Sequence, residues 1–529
     1  MKKLLLFMFL TTCFLGSSQV TLVKDFINGT ADSYAKPFFQ TGNGMCVVAR
    51  QSTSQPAYFF YKTFDGTFLS NYEMLNGTNQ VYTNYQTFDE SNYTVVSGVG
   101  YFAGKIGSNN YMFYTNSNFD ALVIPPFQND HVINPVVNGN KLFNTGFNTT
   151  NGQELAIWAP PTFQANDILV DINPVGSSFP LDFIAFNTSC VFTADDGTNG
   201  RELWISDGTS IGTNMLSDIN AGSASSNPDN ITVFGTQIVF SATHATLGKE
   251  LFKVNSSGTL SLIKDFNSGN GNGNPNNIYN ANGVLYFSAD NGSIGQELWK
   301  SNGTALGTVL IKDINPLGAS NPRQFTQIGS TIFFIADDGT NGVELWKTDG
   351  TSSGTVLVKN INLTGNSNPN NLTEYNGKLY FDANDASSGI NRQLWVSDGT
   401  TSGTQKILVN SLGDASPENF LVFQNKLYFG ASDGVHGHEL FSYMDPALAA
   451  NDFELAGNAI NLYPNPAKSY FELATTINVE KVELYSLQGQ LVKTFVNQNQ
   501  YEINDLAKGM YIVKVNAQEG VANKTLVIE

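Results

Sequence analysis

The chain has 529 residues, of which 45 are acidic and 27 are basic, so its formal net charge is −18. Such a surface repels phosphate backbones, and we therefore expect no nucleic-acid partner. Beyond the N-terminal segment no stretch reaches the roughly 20 apolar residues that cross a bilayer, so no transmembrane segment is expected in the mature chain.

Residues 1–18 have the composition of a secretory signal peptide. Two lysines supply positive charge, Leu4 to Leu10 is apolar, and small residues precede a cleavage position just after Ser18. Cys13 raises the alternative of a lipoprotein, but Thr12 fits poorly before it and the apolar stretch continues beyond it. The sequence therefore predicts export of the chain.

The segment that follows contains irregular strand signals. Residues 20–26, VTLVKDF, have the composition of a β-strand, and Met45 to Ala49 and Ala57 to Gly66 suggest a degenerate repeat unit. Tyr101-Phe102 and Tyr111-Met112-Phe113 suggest a second poorly matched unit. We count nine units in the whole chain, or eight if these two merge.

A well-matched unit begins near residue 150 and returns every 46 to 49 residues, counted between the leucines of Glu-Leu-Trp-like anchors. All five tryptophans end such an anchor, and Phe252 and Phe441 replace tryptophan in two further copies. The tryptophans are Trp158, Trp204, Trp299, Trp346 and Trp395. A period of about 40–50 residues built from short strands is typical of a β-propeller.

One copy, residues 321–361, illustrates the unit. Strand signals occur at 325–328, 331–335, 343–347 and 355–359, separated by Gly, Asn and Asp turns. Four antiparallel strands make one propeller blade. The sequence therefore predicts an all-β fold, a β-propeller of about eight or nine four-stranded blades.

The last copy lacks a fourth strand after Glu439-Leu440-Phe441. Residues 20–26 resemble the fourth strands of other copies, for example Val309 to Ile314. We therefore expect residues 20–26 to complete the final blade and close the ring, which also hides exposed strand edges. Cys46 and Cys190 fall in the first and fourth units, and we expect two separate buried thiols rather than a disulfide.

Three copies carry the anchor together with the loop behind it: 202–209 (ELWISDGT), 344–351 (ELWKTDGT) and 393–400 (QLWVSDGT). These motifs resemble the ELWxxDGT repeat family of secreted bacterial proteins, well over residues 150–444 and weakly over 20–150. The resemblance implies a β-propeller without assigning any catalytic residue.

Aspartates in two kinds of loop are candidate calcium ligands, because carboxylates and backbone carbonyls are hard oxygen donors. The candidates are Asp195, Asp196, Asp337 and Asp338. Asp-Gly is also ordinary turn chemistry, and no EF-hand spacing is present, so we favour structural turns. Calcium is the one cofactor that the sequence suggests.

Several further residues are candidate site residues. The anchor glutamates recur once per blade, so we expect a structural role for them. We expect the tryptophans to pack between blades, and the alternative is that they stack on carbohydrate. His436 and His438 are interpreted as exposed loop residues rather than metal ligands. A secreted carbohydrate-active enzyme, a hydrolase or lyase, would need carboxylates outside the repeat, such as Glu90, Glu374 or Glu418.

Residues 447–458 read as a linker, and 459–529 as a second small domain. Strand signals there occur at 482–485, 490–493, 510–514 and 521–528. Motifs at 462–466, 484–489 and 508–511 resemble the type A C-terminal sorting domain of type IX secretion in Bacteroidetes, although that family often ends in lysine rather than Glu529. The residues that carry the motif are Tyr463, Pro464, Asn465, Pro466, Gly489 and Gly509.

The division expected from the sequence is a signal peptide (1–18), a propeller (19–446), a linker (447–458) and a sorting domain (459–529). The resemblance implies a Sec step and then transport by the type IX machinery to the outer cell surface or the medium. We expect a binding or adhesion module whose ligand is a polysaccharide or a surface protein. Residues 267–277, read as an Asn/Gly-rich insert, and the first two units are the expected binding regions.

Overall fold

A computed structural model describes residues 20–26, 30–41, 44–50, 58–63, 68–72, 85–96, 99–106, 109–115, 121–123, 135–148, 150–158, 168–386, 392–446, 460–475, 479–486, 491–496, 498, 500–517 and 520–529. Side chains between 58 and 123 are outside this description, as are the signal peptide and the linker expected at 447–458. Residues 20–443 form one compact unit, and residues 444–529 belong to a second.

Nine four-stranded antiparallel sheets lie in the described part of residues 20–443, and we number them as blades in chain order. The chain begins with β1 (Val20–Lys24), which joins the last blade. Blades 1 to 3 contain β2 (Lys36–Thr41), β3 (Gly44–Arg50), β4 (Tyr58–Thr63), β5 (Phe68–Tyr72); β6 (Tyr85–Val96), β7 (Val99–Ile106), β8 (Asn109–Thr115), β9 (Ala121–Val123); and β10 (Val136–Asn138), β11 (Lys141–Asn148), β12 (Gly152–Trp158), β13 (Ile168–Val170).

The remaining blades have the same order of strands. Blades 4 to 6 contain β14 (Leu181–Phe186), β15 (Ser189–Asp195), β16 (Arg201–Ser206), β17 (Thr213–Ser217); β18 (Asp229–Phe234), β19 (Gln237–His244), β20 (Gly248–Asn255), β21 (Leu260–Lys264); and β22 (Asn276–Ala281), β23 (Val284–Asp290), β24 (Gln296–Ser301), β25 (Val309–Lys312). Blades 7 to 9 contain β26 (Arg323–Ile328), β27 (Thr331–Asp337), β28 (Val343–Thr348), β29 (Val356–Lys359); β30 (Asn370–Tyr375), β31 (Lys378–Asn384), β32 (Arg392–Ser397), β33 (Gln405–Ile407); and β34 (Glu418–Phe423), β35 (Lys426–Ser432), β36 (His438–Tyr443) followed by β1.

The blades form a closed ring. The first strand of every blade contacts the first strand of the next, from β2 through β34, and β34 contacts β2 again. The first strands therefore surround the axis, and the fourth strands lie at the rim. β1 pairs antiparallel with β36, with Val20 opposite Tyr443, so the N-terminal strand supplies the missing fourth strand of blade 9. This confirms the expected closure.

The burial of each strand follows from its place in the blade. The second strand β27, TIFFIAD, has five consecutive buried residues, because neighbouring blades cover both of its faces. The fourth strand β29 alternates and is partly exposed at the rim. A phenylalanine of the second strand is fully buried in each of six blades: Phe192, Phe240, Phe287, Phe334, Phe381 and Phe429.

The hydrophobic core is a series of clusters between adjacent blades. Trp204 of blade 4 lies in one cluster with Phe143 and Leu155 of blade 3. Trp346 of blade 7 lies in another with Tyr286 and Leu298 of blade 6. Trp299 and Trp395 pack in the same way against blades 5 and 7. The anchor aromatic therefore contributes to the contact of blades 4, 6, 7 and 8 with the blade before each of them.

The unit at the C-terminus is a small β-sandwich. One sheet has the order β40-β39-β42-β43, and the other has the order β37-β38-β41. Their strands are β37 (Ile460–Tyr463), β38 (Tyr470–Thr475), β39 (Val479–Ser486), β40 (Leu491–Val496), β41 (Tyr501–Glu502), β42 (Gly509–Ala517) and β43 (Gly520–Ile528). Phe471 and Tyr501 of the smaller sheet join Val482 and Val513 of the larger one in a single core.

Two interpretations of the propeller sequence were wrong. Residues 267–277 are not an insertion but the ordinary connection from blade 5 to blade 6. Gly273 in this connection donates its backbone N–H to Glu250 at 2.7 Å, as residues at the same place do in other blades. His438 lies in β36 rather than in a loop, and its side chain is only 12% exposed.

Candidate functional site

The anchor glutamates fasten each blade to the connection that leads to the next blade. Glu202 accepts hydrogen bonds from the backbone N–H of Ile219 and Ser226 and from the Ser226 hydroxyl, at 2.6 to 3.0 Å. Equivalent bonds hold the connections at Glu154, Glu250, Glu297 and Glu344. These contacts explain why a buried acid recurs once per blade.

The closure of the ring uses the same contact. Glu439 accepts hydrogen bonds from the backbone N–H of Phe26 at 3.1 Å and from the Ser33 hydroxyl at 2.5 Å. Phe26 and Ser33 lie between β1 and β2, where a connection would stand if the chain were continuous. The N-terminal segment therefore replaces an ordinary connection in both pairing and anchoring.

Burial of these carboxylates raises their pKa. Desolvation is the largest cause, and it brings the pKa of Glu250 and of Glu439 to about 7 and that of Glu344 to about 6. Their hydrogen bonds act in the opposite direction, because they stabilise the charged form. In blade 8 the anchor is Gln393, whose Oε1 accepts from Val409 and Asn410 and whose Nε2 donates to Gly413. A neutral side chain therefore satisfies the same position.

The Asp-Gly-Thr loops between third and fourth strands are closed by their own hydrogen bonds. Asp349 accepts from the backbone N–H and the hydroxyl of Thr351 at 2.8 and 2.7 Å, and these bonds lower its pKa. A Cβ on Gly354 would lie 2.0 Å from the Asp349 carboxylate, so glycine is required there. Asp398 and Thr400 repeat this arrangement.

The calcium candidates lie in the loops between second and third strands. Asp196 accepts from the backbone N–H of Thr198 and Asn199 with one oxygen and from the Asn199 amide with the other, at 2.7 to 2.8 Å. Asp338 repeats these bonds, while Asp195 and Asp337 each accept one glycine N–H. No three His, Cys, Asp or Glu side chains among the described residues gather closely enough to hold a metal ion.

The remaining titratable candidates separate into different contacts. His436 bonds to Asp433 at 2.7 Å, and this bond raises the pKa of His436, whereas His438 lies 3.5 Å from Glu418. Glu418 begins β34 but Glu374 is the fifth residue of β30, so they lie about 13 Å apart along the strand direction. Paired glycosidase carboxylates are about 5–9.5 Å apart. The Glu90 side chain is outside the described residues.

A ring of polar residues surrounds one end of the axis, and sequence reasoning missed it. In blades 4 to 9 the first strand has a β-bulge at its start, and the second residue of the strand adopts a left-handed φ of 53° to 56°. These residues are Asp182, Asn230, Asn277, Gln324, Asn371 and Asn419, and we call them the channel mouth. The signal was present as an Asn-Pro-x-Asn motif, for example 274–277 and 368–371.

At blades 7 to 9 the channel mouth borders a pocket. The pocket has a volume of about 420 Å³, within the range of small-molecule sites. It is lined by Gln324, Phe325, Thr326, Asn371, Leu372, Thr373, Asn419 and Phe420, which belong to the first strands of blades 7, 8 and 9. This pocket is our candidate functional site.

Exposed leucines mark the same sector and the same face of the ring. Leu317, Leu363 and Leu412 lie in the connections that enter blades 7, 8 and 9, and they are 94%, 82% and 75% exposed. We call them the leucine arc. Each connection ends where a first strand begins, so the leucine arc and the channel mouth share a face.

The repeat tryptophans are not available as a sugar-binding surface. The five rings are between 3% and 9% exposed. The indole N–H of Trp299 donates to Ala289 at 3.0 Å, and that of Trp395 donates to Ala383 at 3.2 Å. Their place in the inter-blade clusters leaves no free ring face for a ligand.

In the C-terminal sandwich, Asn465 of the sorting motif holds the last strand. Its amide donates to the Thr525 carbonyl at 2.7 Å and accepts from the Val527 N–H at 2.9 Å. Tyr463 is exposed, and Gly509 begins β42. Gly489 lies outside the described residues.

Residues 461–529 match the model of the Secretion system C-terminal sorting domain. The protein is therefore exported through type IX secretion to the cell surface or the extracellular space and is handled by that machinery. Among the described residues no helix has the length and apolar character to cross a membrane. Comparison with curated proteins gave no match.

Several solved structures resemble the chain at low identity. A puromycin hydrolase mutant complexed with PGG is 12% identical, with a TM-score of 0.36 over 67% of this chain and 61% of that chain. A structure from a study of two prolyl endopeptidases is 10% identical, with a TM-score of 0.42 over 94% of this chain and 55% of that chain. The β-propeller domain of the Trilobed protease from Pyrococcus furiosus is 11% identical, with a TM-score of 0.33 over 60% of this chain and 95% of that chain.

The chain spans 61% and 55% of the length of the first two of these structures. At such TM-scores the likeness carries no functional argument. The propeller is assigned from the nine sheets of this chain and their closed circuit.

Proposed function

We propose that the chain is an extracellular binding module, an ELWxxDGT-repeat propeller whose ligand enters at the channel mouth of blades 7 to 9. The ligand is a polysaccharide or a surface protein. The signal peptide at 1–18, the propeller at 19–446 and the sorting domain at 459–529 remain the proposed division. Delivery by type IX secretion places the module where such ligands are met.

The pocket at the channel mouth is the observation that carries the proposal. Its lining combines Gln324, which replaces the asparagine found at the same position in four other blades, with first-strand residues of blades 8 and 9. A ring of equivalent units gains one binding site when one sector differs from the rest. Rigid scaffolds commonly carry function at such variable positions.

Binding of the purified full chain to a broad array of glycans and surface proteins tests the proposal. We expect a defined class of hits that weakens when Asn371 is changed to glycine, because glycine tolerates the left-handed φ of 54° and removes only the amide. The matched control is Asn277→Gly, the same position in blade 6 and outside the pocket. Equal binding by both variants would contradict a site at the channel mouth.

The leucine arc supports a protein ligand as the second candidate. Three exposed aliphatic side chains on adjacent connections offer apolar contacts that protein partners use more than sugars do. Changing Leu317 and Leu363 to serine should then weaken a protein hit on the array. The same substitutions should leave a glycan hit unchanged, which separates the two candidates.

A further inference from the structure

We infer that the pocket of blades 7 to 9 takes an uncharged, polyhydroxylated ligand, a neutral oligosaccharide rather than an acidic one. The inference rests on the proposed function, since it concerns the same site, and it names the chemical class of the ligand. Three features of the pocket carry it: the absence of charge in its lining, the free capacity of its amides, and its apolar wall.

The pocket lining contains no ionisable residue. Arg323, Arg392 and Glu418 lie outside this lining. Arg323 donates to the Asn321 carbonyl at 3.3 Å, Arg392 pairs with Asp382, and Glu418 lies beside His438. A uronate or sulfate would therefore lose its hydration without gaining an ionic partner, which is costly.

The amides of the pocket retain hydrogen-bonding capacity. Gln324 uses one N–H for Asn370 at 2.7 Å, and Asn371 uses one for Asp382 at 2.8 Å. Asn419 makes no side-chain hydrogen bond to any residue that the structure describes. Each amide therefore still offers both donors and acceptors, and a sugar hydroxyl is the ligand group that needs both.

The side chains on the other side of the channel mouth are used differently. Asn230 accepts the backbone N–H of Asn277 at 2.9 Å, so its oxygen is used within the ring. Asp182 accepts the Thr193 hydroxyl at 3.1 Å and carries a carboxylate instead of an amide. Asn277 uses one N–H for the Pro322 carbonyl at 3.5 Å, much as Asn371 does for Asp382, so the pocket lining, and not the amides alone, sets the sector of blades 7 to 9 apart.

Apolar side chains complete the pocket. Leu372 and Phe420 occupy the third position of their strands beside the amides and are partly exposed, whereas Phe325 at the same position is buried in the core between blades. Pocket sites commonly combine a mostly apolar wall with a few placed polar groups. A sugar ring presents C–H groups on its faces and hydroxyls at its edge, which matches amides next to aromatic and aliphatic carbon.

Calorimetric titration of the full chain tests the inference with stated probes. The neutral probes are cello-, manno- and xylo-oligosaccharides of six residues, and the acidic probe is hexagalacturonate. We expect a neutral probe to bind and Asn419→Gly to weaken it about tenfold, because Asn419 is the lining amide that makes no side-chain hydrogen bond to the described residues. Asn277→Gly should change the affinity less than twofold. Circular dichroism melting verifies that both variants remain folded.

The outcomes separate the inference from the proposed function. Preference for hexagalacturonate, weakened by Asn419→Gly, would overturn the neutral class and leave the site in place. Binding that neither Asn419→Gly nor Asn371→Gly changes would overturn the site itself. A blank with every neutral glycan, on these probes and on the array, would overturn the inference and leave a protein ligand as the proposed function.

Discussion

The third strand and the first strand of each blade repeat in different ways. At the third strand, a buried acid or amide bonds the following connection in blades 3 to 9, and in blades 4 to 8 a buried aromatic packs with the preceding blade. At the first strand, the bulge is constant, and its second residue is asparagine in four of the six blades, aspartate in blade 4 and glutamine in blade 7. Constancy marks what assembles the ring, and variation within a constant backbone marks where one sector can acquire a ligand.

The comparison also accounts for the closure of blade 9. Most anchors act within a continuous chain, where the connection stays near the anchor even if a bond is lost. Glu439 instead holds residues more than 400 positions away, Phe26 and Ser33. Loss of that anchor should therefore release a whole strand.

The largest expected effect comes from removing Glu439. Glu439→Ala leaves the Phe26 N–H and the Ser33 hydroxyl without their acceptor, which should cost about 2–4 kcal/mol and expose β1. Hydrogen exchange at residues 20–24 measures the release. Glu202→Ala is the control, since it removes the same contacts inside a continuous chain. Equal protection of β1 in both variants would contradict the special role of Glu439.

The next effect is a dependence of stability on pH. The pKa of Glu250 and Glu439 is about 7 in the folded chain, above the unfolded value of about 4.3, so the folded state keeps protons that the unfolded state releases. The contribution of these two carboxyl groups to the free energy of unfolding should therefore be fully present below about pH 4.3 and should decrease as the pH rises towards 7. Urea unfolding at pH 5 and pH 8 measures this.

Glu439→Gln should remove part of that pH dependence, because a neutral amide serves the same position in blade 8 as Gln393. An identical slope in the variant would show that the buried anchor does not titrate.

A smaller effect distinguishes two tryptophans. Trp299→Phe leaves the Ala289 carbonyl without its donor, whereas Trp346 makes no such bond to the described residues. Phenylalanine already fills this place as Phe252 and Phe441. We expect Trp299→Phe to cost about 1 kcal/mol more than Trp346→Phe in urea unfolding. Equal costs would show that the hydrogen bond of the Trp299 indole N–H contributes nothing measurable to the free energy of unfolding.

The smallest expected effect is that of calcium. Both oxygens of Asp196 and of Asp338 are already bonded within their turns, so we expect a chelator to leave the melting temperature unchanged. The same melting measurement with a chelator tests Asp195 and Asp337 as calcium ligands. A rise of several degrees on adding calcium would establish a metal at these loops.

The sequence alone determined the repeat and its consequences. Alternation of short strands and turns every 46 to 49 residues predicted four-stranded blades, and the unmatched strand at 20–26 predicted the closure. Local composition suffices there, because each blade is built from residues close together in the chain. The sorting motif at 462–466 was likewise local, although strands β37, β38 and β41 of that domain were not anticipated.

Only the tertiary structure decided where a ligand could bind. The Asn-Pro-x-Asn motif is local, but its meaning depends on a bulge that turns the second residue of each first strand to the left-handed region. The pocket joins Gln324, Asn371 and Asn419, which lie 47 or 48 residues apart and meet because the ring brings the first strands together. Sequence periodicity places residues along one strand, whereas closure of the ring selects which of them surround a common space.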